Sequence, residues 1–216
     1  MSQRINYSAV LFDLDGTLID SERLSIAAGQ AAFAALGHAV EQTFLHQLIG
    51  KDRNSGDAIL RAQLPNLDLD ALDHHWTIEA RRLHTAGIDL KPGALALLND
   101  LAAREIPCGI VTSSQSISAQ EKISLTGLDK YFSTVVTVNC VTRAKPAPDA
   151  YLLAAQRLEV DPTACLVFED SDTGAQAAHT AGMRVVQVPD LLPTAGHHAH
   201  HVAPSLLAGA RAAGFN

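Results

Sequence analysis

Val10-Leu11-Phe12-Asp13-Leu14-Asp15-Gly16 is a short apolar run that ends in two carboxylates, with Thr17 just behind. The run is too short for a helix and suits a buried strand of a parallel sheet, whose strands read as near-continuous apolar stretches. Alternate side chains of a strand point the same way, so Asp13 and Asp15 leave its end on one side. Two carboxylates that close repel. Both stay ionised only with a cation between them; otherwise one keeps its proton. The carboxyl end of a strand is also where open α/β sheets bind ligands. A carboxylate pair at that place calls for a metal, and a metal there points to phosphate chemistry. The competing reading is a polar turn after a strand, and later segments decide between the two.

Outward from this segment, strand-like runs alternate with helical patterns, the signature of βαβ units around a parallel sheet. Pro92-Gly93 opens a helix over 94–104, followed by strand 108–112, helix 117–126, strand 134–138 and helix 147–158. Strand 164–168, helix 173–182 and strand 184–188 continue the alternation, and a short helix near 204–213 ends the pattern. Residues 21–87 break it. Ser21 caps a helix that Gly37 stops, helical patterns follow at 41–49, 54–63 and 69–85, and no strand intervenes. So long an insert is no ordinary crossover, and it reads as a helical lid. The expectation is an α/β protein. Residues 1–18 and 88–216 form a Rossmann-like, doubly wound parallel sheet core, and residues 19–87 form an inserted all-helical cap.

Composition narrows the function. A chain of 216 residues can build one sizeable core plus an inserted subdomain. Apolar content of 47% with 18% charged residues describes a globular protein and excludes a disordered one. The net charge of −7 argues against a nucleic-acid polymer as partner, because such binding depends on Lys and Arg neutralising phosphates. It says little about a small anion, which responds to the local field of its pocket. No apolar stretch approaches the ~20 residues that span a bilayer, and no signal peptide precedes the first strand, so a cytoplasmic chain without membrane partners is expected. Cys108, Cys140 and Cys165 are odd in number and far apart, in or beside strand-like runs. They read as buried reduced thiols. A monomer or a small homo-oligomer is compatible with all of this.

Three later segments carry further chemistry. Gly109-Ile110-Val111 delivers the hydroxyls Thr112, Ser113 and Ser114 at a strand end just before a helix. Hydroxyls and main-chain N–H groups at such a turn suit phosphate oxygens, and the helix N-terminus adds positive potential. In Lys145-Pro146-Ala147-Pro148-Asp149, Pro146 suits the first turn of a helix and would fix Lys145 at its mouth as a point charge. Strand Cys165–Phe168 runs into Glu169 and Asp170, acidic residues again placed before a helix. Each segment alone also reads as helix capping or solvated surface. Together they put carboxylates, hydroxyls and an ammonium at the carboxyl ends of four strands of one sheet, which converge on one crevice. That is the part list of a metal-assisted phosphoryl-transfer site.

With these segments in view, the chain resembles the phosphatases of the haloacid dehalogenase superfamily, in the subgroup of phosphoglycolate phosphatases and β-phosphoglucomutase. The resemblance rests on Asp-Leu-Asp-Gly-Thr-Leu-Ile-Asp-Ser-Glu at 13–22, Val-Thr-Ser-Ser at 111–114, Lys-Pro-Ala-Pro-Asp at 145–149 and Val-Phe-Glu-Asp-Ser at 167–171. The four occur in the family's order, with a helical cap between the first two. The resemblance implies that Asp13 is a nucleophile forming an aspartyl-phosphate, and Asp15 the acid and then the base. It implies Mg²⁺ held by the Asp13 carboxylate, the Asp15 main-chain carbonyl and Asp170, with Glu169 beside the metal or reaching it through a water. Thr112, Ser113 with its N–H, Ser114 and Lys145 would then bind the transferring oxygens.

Phosphatase and mutase are the alternatives within that family. Where the mutase carries valine and histidine, this chain has Thr17 and Ser25, and Ile49 stands where a cap lysine precedes the loop glycine. Arg53 matches a phosphate-contacting cap arginine of the mutase. The balance favours a phosphatase of a small phosphorylated metabolite, with Lys51, Asp52, Arg53 and Asn54 as candidates for reading the leaving group. A catalytically dead binding module would have lost a nucleophile or a metal ligand, and neither is missing. His197, His198, His200 and His201 read as a surface loop before a metal set, and Trp76 as packing within the cap. Glu159 stands where relatives often place glycine.

Overall fold

The computed structural model describes residues 7–48 and 53–215, with the backbone alone for 53–55. It divides into two compact units, one taking in the residues up to Asp20 and from Asp89 onward, the other Ser21–Ile88.

The first unit is a six-stranded sheet in the order β3-β2-β1-β4-β5-β6, with every pairing parallel. Its strands are β1 (Ala9–Phe12), β2 (Cys108–Val111), β3 (Thr134–Val136), β4 (Cys165–Glu169), β5 (Arg184–Gln187) and β6 (His201–Val202). Strands β1, β2 and β4 are buried along their whole length, which is why they lack the polar alternation of a sheet with one wet face. Helices α5 (Ala94–Ala103), α6 (Ser116–Leu125), α7 (Asp149–Arg157), α8 (Asp172–Thr180) and α9 (Leu206–Ala212) flank it. Phe12 lies opposite Phe168 in register and their rings stack at 5.2 Å, with Phe132 edge-on to Phe12. Ala9 and Leu11 of β1 join Cys165 and Val167 of β4 and Tyr151 and Ala154 of α7 in one buried cluster. The strand order runs outward from β1 through β2 and β3 and then restarts at β4, so the order reverses between β1 and β4. In a doubly wound sheet that is where the ligand crevice opens.

The second unit is all-helical, as the sequence pattern predicts: α1 (Ser21–Ala35), α2 (Gln42–His46), α3 (Arg53–Gln63) and α4 (Leu69–Ala86). Phe33 meets Phe44 and Trp76 edge-on at 5.8 and 6.3 Å. Gly29 lies against the Trp76 indole with no room for a Cβ, so α1 and α4 pack closely and Trp76 is a packing residue, as expected. Two short stretches join the chain's path from β1 to that from α4 within the first unit. Asp20 N–H donates to Asp89 and Lys91 N–H to Leu18, each at 2.8 Å, and Lys91 Nζ donates to Asp190 at 2.6 Å.

Three expectations need correction. Cys108 and Cys165 are buried, their thiols pushed up to about 12 and about 11 by burial, but Cys140 is exposed at the edge of the core. Hydrogen bonds from Thr137 hold the Cys140 thiol below its usual value. The third strand ends at Val136, because Val138–Cys140 turns into a 3₁₀ helix. The histidine tract is not all loop: His201 and Val202 pair with β5, and the His200 imidazole accepts the Val185 N–H through Nδ1 at 3.0 Å.

Glu159 also finds its explanation. Helices α5, α6, α7 and α8 all end in the same way, with the next residue but one past the helix in a left-handed conformation and its successor donating back into the last turn. Gly127 and Gly182 fill that position after α6 and α8, but Glu105 and Glu159 fill it after α5 and α7, with φ of 55° and 56°. A side chain strains that conformation, whereas glycine accepts it. Glu159→Gly is therefore expected to stabilise the protein by about 0.5–1 kcal/mol, the strain relieved exceeding glycine's extra entropy loss. Thermal unfolding should read this as a rise of about 1–4 °C in Tm. A fall would mean that the exposed carboxylate contributes more than the strain costs.

Candidate active site

Strand register brings the first and last motifs side by side. Phe12 is level with Phe168, and Asp13 N–H donates to the Phe168 carbonyl at 2.9 Å, so Asp13 and Glu169 leave neighbouring strands at one height. Side chains alternate along a strand, so Asp13 continues the row of Ala9 and Leu11, and Glu169 that of Cys165 and Val167. Thr112 N–H donates to Val136 at 2.9 Å, carrying the hydroxyl motif to the same edge of the sheet.

Lys145 ties this pair together. Its buried ammonium donates to Asp13 Oδ1 at 2.7 Å, Glu169 Oε1 at 2.6 Å and the Val111 carbonyl at 2.9 Å. The route is not the expected one. Pro146 does not open the helix: α7 begins at Asp149, and a turn closed by Ala147 N–H to Ala144 precedes it, with a cis Lys145–Pro146 bond. Lys145 thus enters the crevice from a loop. Glu169 is fully buried, and Tyr151 of α7 donates to its Oε1 at 2.6 Å while Ser171 donates to Oε2 at 3.2 Å. Gly174, in the first turn of α8, lies so close to this carboxylate that a Cβ there would overlap it.

Asp15 lies in a separate set of contacts. Its Oδ1 accepts from Lys122 at 2.5 Å, and its Oδ2 from Ser114 Oγ at 2.7 Å and Thr112 Oγ1 at 3.4 Å. Thr112 Oγ1 also accepts the Ser114 N–H at 3.0 Å, and Ser113 is exposed between them. Asp170 is partly exposed and accepts from Thr17 Oγ1 at 3.4 Å. Asp13, Asp15, Thr112, Ser113, Ser114, Lys145, Glu169 and Asp170 therefore meet at one edge of the sheet. Lys51 and Asp52 lie outside the described residues, as do the side chains of Arg53 and Asn54 on α3.

The electrostatics follow from burial and crowding. Burial pushes the Asp13 carboxyl well above the usual carboxylate range; Glu169, Asp170 and Asp15 push it further, and Lys145 alone opposes them. Burial would lower the Lys145 ammonium, but Asp13 and Glu169 prevail and raise it. Tyr151 is raised, by burial first and then by Glu169, so it stays a neutral donor. Four carboxylates share the site with two ammonium groups, Lys122 and Lys145. The excess is the charge of one divalent cation. Asp13, Glu169 and Asp170 each offer an oxygen, all within 4.8 Å of one another. An all-oxygen set with two negative charges in excess fits a hard ion such as Mg²⁺. Glu169 already has both oxygens engaged by protein donors, so Asp13 and Asp170 are the better direct ligands.

Lys122, Tyr151 and Ser171 are participants that sequence reasoning missed. Lys122 left one signal: it shares a helix face with Ala119 and Ile123, where a solvated lysine does not belong.

Comparison with known proteins agrees with this geometry. A family model described as haloacid dehalogenase-like hydrolase matches residues 10–188. The fructose-1-phosphate phosphatase YqaB of Escherichia coli (strain K12) is 34% identical over 186 residues, 84% of this chain and 96% of that protein. Hexitol phosphatase A of the same organism is 38% identical over 184 residues, 82% of this chain and 81% of that one. The crystal structure of CbbY from Rhodobacter sphaeroides in complex with phosphate superposes with a TM-score of 0.78 at 26% identity, covering 92% of this chain and 94% of that chain.

Proposed function

Because the chain belongs to the haloacid dehalogenase-like hydrolases and is a phosphoric monoester hydrolase of small phosphorylated metabolites, we propose that Asp13 is its nucleophile and Asp15 its proton carrier. The observation that carries this reading is the division of labour between two lysines. Lys145 holds Asp13 beside Asp170, while Lys122 and Ser114 hold Asp15 apart, ready for a different task. An Asp13 carboxylate oxygen attacks phosphorus as the bond to the substrate alcohol breaks, forming an aspartyl-phosphate. The phosphate dianion of a bound substrate favours uptake of a proton by Asp15, which gives it to the departing oxygen and then takes one back from the water that attacks phosphorus and restores Asp13. Thr112, Ser113 and Lys145 stabilise the charge that develops on the transferring oxygens. Asp13, Asp170 and the Asp15 main-chain carbonyl would hold Mg²⁺, which when bound offsets the repulsion between carboxylate and phosphate.

Carbohydrate phosphates are the substrate class we favour, because relatives named as phosphatases of fructose 1-phosphate, hexitol and phosphorylated carbohydrates align over most of the chain. The test is a panel of hexose, hexitol, pentose and glycolate phosphates and nucleoside monophosphates with Mg²⁺, following released phosphate. Conversion of β-glucose 1-phosphate is followed separately. A sugar or hexitol phosphate should give the highest kcat/KM. Isomerisation without phosphate release would make the protein a mutase instead.

Leaving-group selection is assigned to the helical insert, with Lys51, Arg53 and Asn54 as its candidates on sequence resemblance. Arg53→Ala is expected to lower kcat/KM for the best metabolite of the panel at least about tenfold, the loss of a charge-assisted contact. For p-nitrophenyl phosphate, which carries a good leaving group, the loss should stay within threefold, about the spread of one ordinary contact. Equal losses would place Arg53 in the core chemistry, and no loss on either would make it ordinary surface.

A further inference from the structure

Lys122 carries no proton or phosphoryl group in the steps above, yet its ammonium is buried against the residue that does. The side chain is 6% exposed, and Nζ donates to Asp15 Oδ1 at 2.5 Å and to Ser114 Oγ at 2.8 Å. Ser114 Oγ then passes a hydrogen bond to Asp15 Oδ2 at 2.7 Å, and Thr112 Oγ1 reaches the same oxygen. Both oxygens of the carboxylate are thus held by donors that belong to one helix and the turn before it. The stem descends the buried face of α6 beside Ala119 and Ile123. An ammonium brought in through an apolar face costs desolvation, and its acidic partner here is Asp15. Lys145 serves a different carboxylate pair, Asp13 and Glu169.

We propose that Lys122 is a positioning residue: with Ser114 it aims the Asp15 carboxylate along the path of the proton. The proposal rests on Asp15 being the proton carrier. Lys122 itself transfers no proton and touches no reacting atom. Its influence is therefore confined to steps in which Asp15 gives or takes a proton, and Asp13's attack does not depend on it. Departure of an alkoxide needs that proton, whereas departure of p-nitrophenolate scarcely does. The quantity kcat/KM reports events up to leaving-group departure, and kcat also includes hydrolysis of the aspartyl-phosphate.

The experiment compares the best alkyl phosphomonoester of the panel with p-nitrophenyl phosphate. Lys122→Met keeps the apolar stem and removes the ammonium. It should lower kcat/KM for the alkyl ester by ~10²-fold, the low end of general acid–base contributions. For p-nitrophenyl phosphate kcat/KM should change by less than about fivefold, while kcat falls with both substrates. Lys122→Arg restores the charge and should recover part of the alkyl loss. In an Asp15→Asn background Lys122→Met should add less than about threefold, because the two substitutions disable one device. Asp15→Asn alone separates the two claims. If it shows no alkyl-selective loss, the assignment of Asp15 falls. If it does, and Lys122→Met lowers kcat/KM equally for both substrates or for neither, the positioning role falls. Should Lys122→Met fail to fold, Lys122→Gln, which keeps a polar tip but no charge, decides in its place: an alkyl-to-aryl ratio of kcat/KM equal to wild type overturns the proposal.

Discussion

Asp13→Asn should lower kcat at least ~10³-fold on every phosphomonoester, aryl and alkyl alike, while the protein remains folded. An amide does not accept a phosphoryl group under these conditions, and the neighbouring carboxylates Asp15 and Glu169 are held by other partners. Asp15 is held by Lys122 and Ser114, and Glu169 is enclosed by Lys145, Tyr151 and Ser171. The fold should tolerate the change because it removes one of several crowded carboxylates and leaves Lys145 its bond to Glu169. Without added metal, Tm should equal or exceed that of the wild type. Incubation with substrate and acid quench should trap a phosphorylated wild-type chain and no phosphorylated variant. Retention of more than a tenth of wild-type activity would remove Asp13 from the role of nucleophile.

Removal of divalent cations with EDTA should abolish activity to a similar degree, and Mg²⁺ should restore it. The surplus of two negative charges at the strand ends is the cause. Asp170→Ala should raise the Mg²⁺ needed for half-maximal rate by at least ~10²-fold, and Glu169→Gln by only about tenfold, since Glu169 has both oxygens engaged by protein donors while Asp170 would be the direct ligand. The same surplus sets a pH dependence. Asp13 is raised in the folded protein, so between the ordinary carboxylate pKa and that raised value the folded state binds more protons than the unfolded one. The metal-free protein therefore loses stability as pH rises through that window. Mg²⁺ should cancel much of this loss and raise Tm with its concentration. Full activity after dialysis against EDTA would refute the metal requirement.

The sheet, its crevice and most of the residues in it were legible in the chain because each is announced locally. An apolar run that ends in carboxylates or hydroxyls shows both its strand and its chemistry within seven residues, as at 10–16 and 109–114. Lys122 was hidden for the opposite reason. Its meaning depends on a partner 107 positions away, and a lysine in a helix is ordinarily solvated. Tyr151 looked like core, which it is; only the Glu169 oxygen beside its hydroxyl reveals a second task. Lys145 meets Asp13, but not from the helix mouth that its sequence suggests, since propensity places a proline at a helix start whereas this loop turns once more before α7 begins. The β6 pairing is two residues long, and its histidine composition carries no strand signal.

The parallel pairing of β1 also sets the order in which the molecule can be made. Val10 pairs with Cys108 and Ala9 with Cys165, whereas α1 and α4 of the insert meet over a much shorter stretch of chain. During synthesis at about 5–20 residues per second, β1 waits roughly 8–30 s for the strand that completes the crevice. Meanwhile the helices of Ser21–Ile88 can already close on themselves, because local contacts form first. Ala9–Phe12 is an apolar strand with both edges open until Cys108–Val111 is made, and with one edge open until β4 follows, the kind of segment that seeks a partner on another chain. Slower elongation between codons 88 and 165 should therefore lower the yield of soluble enzyme, and a chain truncated before β4 should aggregate with its insert already folded.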